Sequence, residues 1–388
     1  MLDGLINGIF NGISIGAVLL IVALGLAIVF GLMGVINLAH GELMMLGAYT
    51  TYVVQNGFKS LGDGAQDFYI WLALPLSFIV AGLVGLLLER SVIRLLYGRP
   101  LETLLATWGV SLILQQFVRS VSGSMVIGIA VFCLLFFGGR WALDRFANLG
   151  PRQQLAKFVI LVLSIAVGIT ASRATGDGSP LAKPWFSARN VDVTAPSWLQ
   201  SSISVTDTIS FPAARLFIIT LTIVCLLGTF WFLNKSAWGL RIRAVTQNRD
   251  MSACLGIPTN RVDALTFALG SGLAGIAGCA VTLLGSVGPN LGSNYIVDAF
   301  MVVVVGGVGK LVGSIVAALL IGIVSYIIGS GTLALMLPSS EVLQPLIDVA
   351  TFFATTSMAK VLVFAMIIAF LQVKPAGLFP QKGRSVEV

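Results

Sequence analysis

The sequence predicts an all-α fold, a polytopic transmembrane helical bundle of about 9–11 spans, and three observations carry that prediction. First, 57% of the 388 residues are hydrophobic and only 10% are charged, against roughly 25% charged in an ordinary soluble domain. With a mean hydropathy of +0.98, the chain holds more apolar surface than a soluble protein of this size can hide. Second, the apolar residues gather into runs close to the roughly 20 residues a helix needs to cross a hydrocarbon core. Third, most of the charges fall between the runs. The 23 Lys and Arg exceed the 16 Asp and Glu, giving a net charge of +7. In a membrane protein such an excess reports which loops face the cytoplasm, so a pI near 9.4 is no argument for a nucleic-acid partner.

The runs lie at about 5–33, 35–55, 70–89, 101–118, 125–143, 157–172, 213–233, 263–285, 296–309, 311–329 and 349–372, the second being polar and the ninth short. The opening Met-Leu-Asp-Gly-Leu lacks the positive region of a signal peptide and reads as the start of a retained first span. If 234–262 is cytoplasmic, counting spans outward makes other loops cytoplasmic, and these are the basic ones. They hold Arg90, Arg94 and Arg99, then Arg140, Arg145, Arg152 and Lys157, then Lys310, and finally Lys374, Lys382 and Arg384. The loops left outside, 56–69, 173–212 and 330–348, balance Lys59, Arg173, Lys183 and Arg189 with seven acidic residues. One orientation therefore fits the chain, N-terminus outside and C-terminus in the cytoplasm. The expected location is the inner membrane, multi-pass, with the lipid bilayer as surroundings. No short solenoid repeat or clear inverted repeat is visible.

The first span carries Gly4, Gly8, Gly12 and Gly16 at a spacing of four, and a later one carries Gly270, Ala274 and Gly278. Small residues at that spacing form grooves that let membrane helices approach closely, within one bundle or between subunits. The stretch Gly34 to Tyr49 places Asn37, His40 and Glu42 within six positions of one another at membrane depth. Ionisable groups there are costly enough to mark functional sites by default, and Gly34 and Gly41 would let the helix break and line a cavity. The structural alternative is that Asn37 and His40 cap the broken helix while Glu42 pairs with a neighbouring chain.

Between Lys235 and Val262 a helix could start near Gln247 and stop at Gly256, because Gly favours a stop and Pro258 cannot continue. A short helix in a basic loop, exposing Met251, Cys254 and Leu255, suits docking into a groove on a soluble partner; the bland reading is a loop that only fixes topology. Gly306-Gly-Val-Gly-Lys310 fails as a phosphate-binding loop, since Val304 stands where its first glycine belongs and Leu311 follows the lysine. The chain therefore carries no ATPase site of its own. Four scattered cysteines without a CxxC pair, and a single histidine, support no metal centre and no cofactor.

In Ile-Asn-Leu-Ala-His-Gly-Glu (36–42), in Leu88 to Val121, in Asn190 to Trp198 and above all in Trp238 to about Gly322, the sequence resembles the permease subunits of branched-chain amino acid type ABC importers. Gly-Ala-Tyr-Thr-Thr-Tyr-Val and Arg-Ala-Val-Thr-Gln-Asn-Arg-Asp-Met look closest to the urea branch of that family. The resemblance implies a single integral membrane permease domain, 1–388, with a cytoplasmic coupling loop at 234–262. Within that loop it assigns Arg243, Gln247, Asn248, Asp250, Met251 and Gly256 to the contact with an ATPase. It also implies the partners: a second permease subunit forming a heterodimer, two cytoplasmic ATPase subunits and a periplasmic solute-binding protein. Between about 125 and 188 the resemblance lapses, and an inserted pair of hydrophobic segments stands there. Urea is small, neutral and polar, so its path needs donors and acceptors without a fixed counter-charge. The side chains able to supply them are Asn37, His40, Tyr49, Thr107, Gln115, Asn290, Asn294 and Asp298, with Glu42 beside them. The expected activity is urea import by alternating access, with branched-chain amino acids or short amides as the near alternative. A proton-coupled secondary transporter or channel using Glu42 and His40 is the alternative of another class.

Overall fold

The computed structural model describes residues 2–60, 66–146, 153–176, 185–186, 189–206, 209–332, 344, 348 and 351–379. The chain divides into two units, Met1–Leu112 with Val191–Val388, and Ile113–Asn190. The first unit begins with α1 (Leu2–Met33), α2 (His40–Lys59) and α3 (Tyr69–Ser91), a 3-10 turn at Ile93–Leu95, and α4 (Pro100–Ser120), within which the unit boundary falls. It resumes with the short α7 (Ser197–Gln200) and a hairpin of β1 (Ser202–Thr206) and antiparallel β2 (Ile209–Pro212). Then come α8 (Ala213–Lys235), α9 (Ala237–Gln247), α10 (Arg249–Cys254), α11 (Thr259–Thr282), α12 (Leu291–Gly306), α13 (Leu311–Gly329) and α14 (Thr356–Val373). The second unit is built on α5 (Gly123–Phe146) and α6 (Gln153–Gly176). These two run antiparallel, for Gly128 faces Gly168 while Gly139 faces Ile160.

Each apolar run is represented by a helix. Among the described residues eight helices are long and apolar enough to cross a membrane, and α12 and α14 are shorter apolar ones. The bundle is organised by burial. The apolar windows of α1 and α11 are 83% and 78% buried, whereas those of α4, α5, α6 and α8 are no more than 22% buried. A helix apolar all round yet exposed on most of its surface has lipid as its neighbour. Accordingly α1 packs against α13, α11, α8 and α12, and α11 against α3, α2 and α1.

Two boundaries differ from those read in the sequence. The second run starts as a helix at His40 rather than 35, because Gly34 (φ +68°) ends α1 and 34–39 crosses in irregular backbone. α12 starts at Leu291 rather than 296, which draws Asn294 into its first turn. Although α2 is not among the eight helices long and apolar enough to cross a membrane, it is mostly buried, its polar side chains such as Thr51 and Gln55 meeting other parts of the chain instead of lipid.

The glycine stripes mark the closest approaches. A Cβ on Gly12 would stand 2.6 Å from Ile323 Cα, and one on Gly16 2.8 Å from the Ala318 carbonyl oxygen, both on α13. Gly8 lies near Thr332, and the side-chain surroundings of Gly4 lie outside the described residues. The second stripe serves two neighbours: Gly270 faces Gly25 of α1, and Gly278 faces Met44 and Ala48 of α2, with Ala274 fully buried between them. Such contacts hold through van der Waals packing, which survives where there is no water to drive burial.

Candidate functional site

The polar residues singled out in the sequence fall into three separate places. The first is a knot where α2 begins. Asn37, His40 and Glu42 are each no more than 1% exposed. Asn37 Oδ1 accepts the Ala39 N–H at 3.1 Å, tying the irregular backbone before α2. His40 Nε2 lies 3.2 Å from the Val22 carbonyl oxygen of α1. A carbonyl only accepts, so Nε2 carries the proton and Nδ1 keeps its lone pair. α4 completes the knot, with Thr107 Oγ1 accepting the Leu38 N–H at 3.2 Å and the Ser111 hydroxyl donating to Glu42 Oε1 at 3.1 Å. Glu42 therefore finds a partner inside this chain. Gly41 packs against Gly292 of α12, bringing that helix's start against the same knot. Among the described residues, Asn37 Nδ2 and His40 Nδ1 have no hydrogen-bond partner. Tyr49 is buried two turns further along α2. Gln115, partly buried, belongs to the second unit, and Asn290 is exposed just before α12.

The second place is a cavity of about 490 Å³ between α1, α12, α13 and α14. Asn294, Tyr295 and Asp298 line it from α12, Ser325 and Tyr326 from α13, and Lys360 from α14. Lys360 Nζ reaches Asp298 Oδ2 at 3.0 Å and the Asn294 carbonyl oxygen at 3.4 Å. Asn11 of α1 donates to the Tyr326 hydroxyl at 2.9 Å and accepts from Arg215 of α8. Two opposite charges thus sit in apolar helices beside an open space, with neutral donors and acceptors around them. Lys360 and Ser111 escaped the sequence reading. Lys360 had a signal, being a lone cation in an apolar run, complementary in sign to the lone Asp298. Ser111 could have been found as the residue four beyond Thr107, on one helical face.

The third place is the segment α9–α10. The structure breaks it at Asn248, so the helix expected from Gln247 starts two residues later. Asn248 adopts extended backbone (φ −154°) and its side chain accepts the Met251 N–H at 3.0 Å, an N-cap that satisfies an otherwise orphan donor. At the other end Gly256 is left-handed (φ +81°). Ile257 N–H bonds back to Ser252 and Gly256 N–H to Ala253, a Schellman closure. Ser252 is the buried residue of α10, whereas Asp250, Met251, Cys254 and Leu255 are exposed, Leu255 at 79%. What holds this exposed helix is Arg249. Its guanidinium bonds Asp263 Oδ2 of α11 at 2.7 Å and stands 4.8 Å over the Tyr97 ring. Burial and the carboxylates of Asp263 and Glu89 push the Tyr97 phenol above its ordinary range, so it stays a neutral hydroxyl, 3.5 Å from Glu89 Oε1. Nothing in the sequence distinguished Arg249 from the neighbouring arginines. Arg243 of α9 is exposed, its Nη2 3.5 Å from the Asn234 carbonyl oxygen.

No solved structure matches the chain. Among curated proteins, it is 24% identical over 375 residues to the high-affinity branched-chain amino acid transport system permease protein LivH of Escherichia coli (strain K12), covering 95% of this chain and 93% of that one. The LivH of Salmonella typhimurium (strain LT2) gives the same identity and coverage. The permease protein BraD of Pseudomonas aeruginosa is 25% identical over 315 residues, 81% of this chain and 82% of that one. Together with the apolar helices, these matches make the chain a multi-pass inner-membrane protein. The family described as branched-chain amino acid transport system / permease component matches residues 8–371, nearly the whole bundle, and the chain belongs to that family.

Proposed function

We propose that this chain is the membrane permease of an ATP-driven importer and that α10 is where a cytoplasmic ATPase engages it. The observation that carries the reading is the construction of α10: capped at both ends, exposing Met251 and Leu255, and tied to α11 through Arg249 and Asp263. A rigid apolar knob anchored on a buried span suits a helix-in-groove contact, and Gln247, Asn248, Asp250 and Gly256 frame it. A push on α10 then travels into α11 and, through Tyr97, towards α3. In this reading the N-terminus is outside and the basic loops, with the C-terminus, are cytoplasmic. A second permease subunit, two ATPases and a periplasmic binding protein complete the assembly, and the 125–188 segment is an addition to the common bundle.

Solute crosses beside the Asp298–Lys360 cavity and the knot at α2. The finer substrate reading is urea. The knot supplies donors and acceptors from Asn37, His40, Thr107 and Ser111, and the paired charges of Asp298 and Lys360 leave no uncompensated charge for a neutral solute to answer. The names of the relatives favour branched-chain amino acids as the second reading, and the same ion pair could face the two charges of an amino acid. Uptake of labelled urea by the intact transporter, in competition with unlabelled leucine, isoleucine and acetamide, separates the two. Inhibition by acetamide but not leucine supports urea, and inhibition by leucine and isoleucine with no urea uptake overturns it. Uptake that persists without ATP but collapses with the proton gradient would instead make Glu42 and His40 a proton relay.

A further inference from the structure

We infer that the groove between α1, α8 and α13 is a binding site for one anionic phospholipid, its phosphate held by Arg243 and Lys310. The groove encloses about 890 Å³, within the range of small-molecule sites, and its polarity is confined to one end. There stand Arg243 of α9, Lys310 of the α12–α13 turn and Asn234 at the end of α8. Among the described residues neither cation has a carboxylate partner. Below them the walls are apolar, running from Leu32 back to Leu24 on α1 and from Leu233 back to Leu226 on α8.

That length discriminates between occupants. Eight residues of helix rise about 12 Å, close to the roughly 15 Å of hydrocarbon in one leaflet. A groove that is cationic at its rim and apolar for one leaflet's depth matches a phosphate headgroup with an acyl chain beneath it. A soluble partner would find polar contacts only at the rim, and a free phosphate would leave the apolar length unused. Basic pockets between spans at a membrane surface recognise anionic headgroups on this principle. The inference is independent of the transported solute and of the ATPase contact at α10.

The test uses the purified complex. Exposed to mixed micelles of phosphatidylcholine and phosphatidylglycerol, the wild-type complex retains phosphatidylglycerol through detergent exchange, as counted by native mass spectrometry. Each of R243Q and K310Q lowers retention about fivefold, and the double variant about thirtyfold, from the attraction expected per cation near a charged surface. I315W fills the groove and lowers retention with both cations present. In the unaltered complex a photoactivatable acyl chain on phosphatidylglycerol labels 24–32 and 226–233, and the same chain on phosphatidylcholine labels them several-fold less. Equal labelling by the two lipids, or unchanged retention in the double variant, overturns the site. Loss of the ATPase from the double variant with lipid retention intact reassigns the rim to the ATPase contact and equally overturns it.

Discussion

Replacing Arg249 by Ala removes the ion pair that ties α10 to Asp263 of α11. Asp263 is 5% exposed in its side chain, whereas Arg249 is 40% exposed, so solvent screens one partner of the pair. A fully buried pair broken on one side costs about 3–5 kcal/mol, an exposed one about 0–1 kcal/mol, and this half-exposed pair lies between, near 2 kcal/mol. The stacked Tyr97 ring adds about 0.5–1 kcal/mol. Loss of about 2.5–3 kcal/mol raises the undocked population of α10 by roughly seventyfold to 160-fold. The assay is amide exchange of 249–257 in the assembled transporter, read beside ATP hydrolysis and uptake in proteoliposomes. R249A speeds exchange in that segment while α11 stays protected, and uptake falls further than hydrolysis. R249K keeps the charge but loses the planar stacking and falls between. Exchange and coupling unchanged in R249A would refute the idea that Arg249 anchors α10.

Three further outcomes follow from the geometry. K360M leaves Asp298 unpaired in apolar surroundings and lowers the melting temperature more than the double variant K360M/D298L, which removes both charges; both lose uptake, measured with the labelled solute. G278A sets a methyl group against the Met44 backbone and destabilises by about 1–3 kcal/mol, whereas G57A, with nothing within 4 Å of the added carbon, stabilises by about 0.5–1 kcal/mol; thermal unfolding in detergent compares them. The Asp67 carboxylate accepts the Ser197 N–H and hydroxyl, each at 2.7 Å, which holds its pKa below the ordinary value. Its stabilising effect is therefore complete above roughly pH 4 and is lost as pH falls through the depressed value, so amide exchange at Ser197 accelerates only in that acid window, and D67N abolishes the dependence.

The legible parts of the fold and site were those written in local sequence. Gly34 ended α1 and Gly256 closed α10 because left-handed backbone is cheap only without a side chain. The polar cluster at Asn37, His40 and Glu42 stood out because apolar surroundings make such residues expensive. The substrate list mixed residues that the bundle separates, since Asn37 and Glu42 lie in one knot, Asp298 lines another space and Asn290 is exposed. Composition records that a side chain is polar, not which helix it faces. Asn248 was grouped with the exposed contact residues, yet its side chain is spent on capping α10.

Sequence by itself determined that this chain is a membrane-embedded helical bundle, because span length and apolarity answer to the bilayer and not to any partner helix, and its resemblance in 36–42 and 238–322 pointed to the branched-chain amino acid permease family that matches residues 8–371. Only the tertiary structure decided that α1 and α11 are mostly buried within the first unit while α8 of that unit is mostly exposed. It alone paired Asp298 with Lys360, 62 residues apart, and gave Arg249 rather than its neighbours the task of holding α10. In lipid every one of these helices is apolar, so hydropathy cannot rank them. What ranks them is which backbones come close enough to touch, and that depends on small residues meeting across helices, as Gly41 does with Gly292.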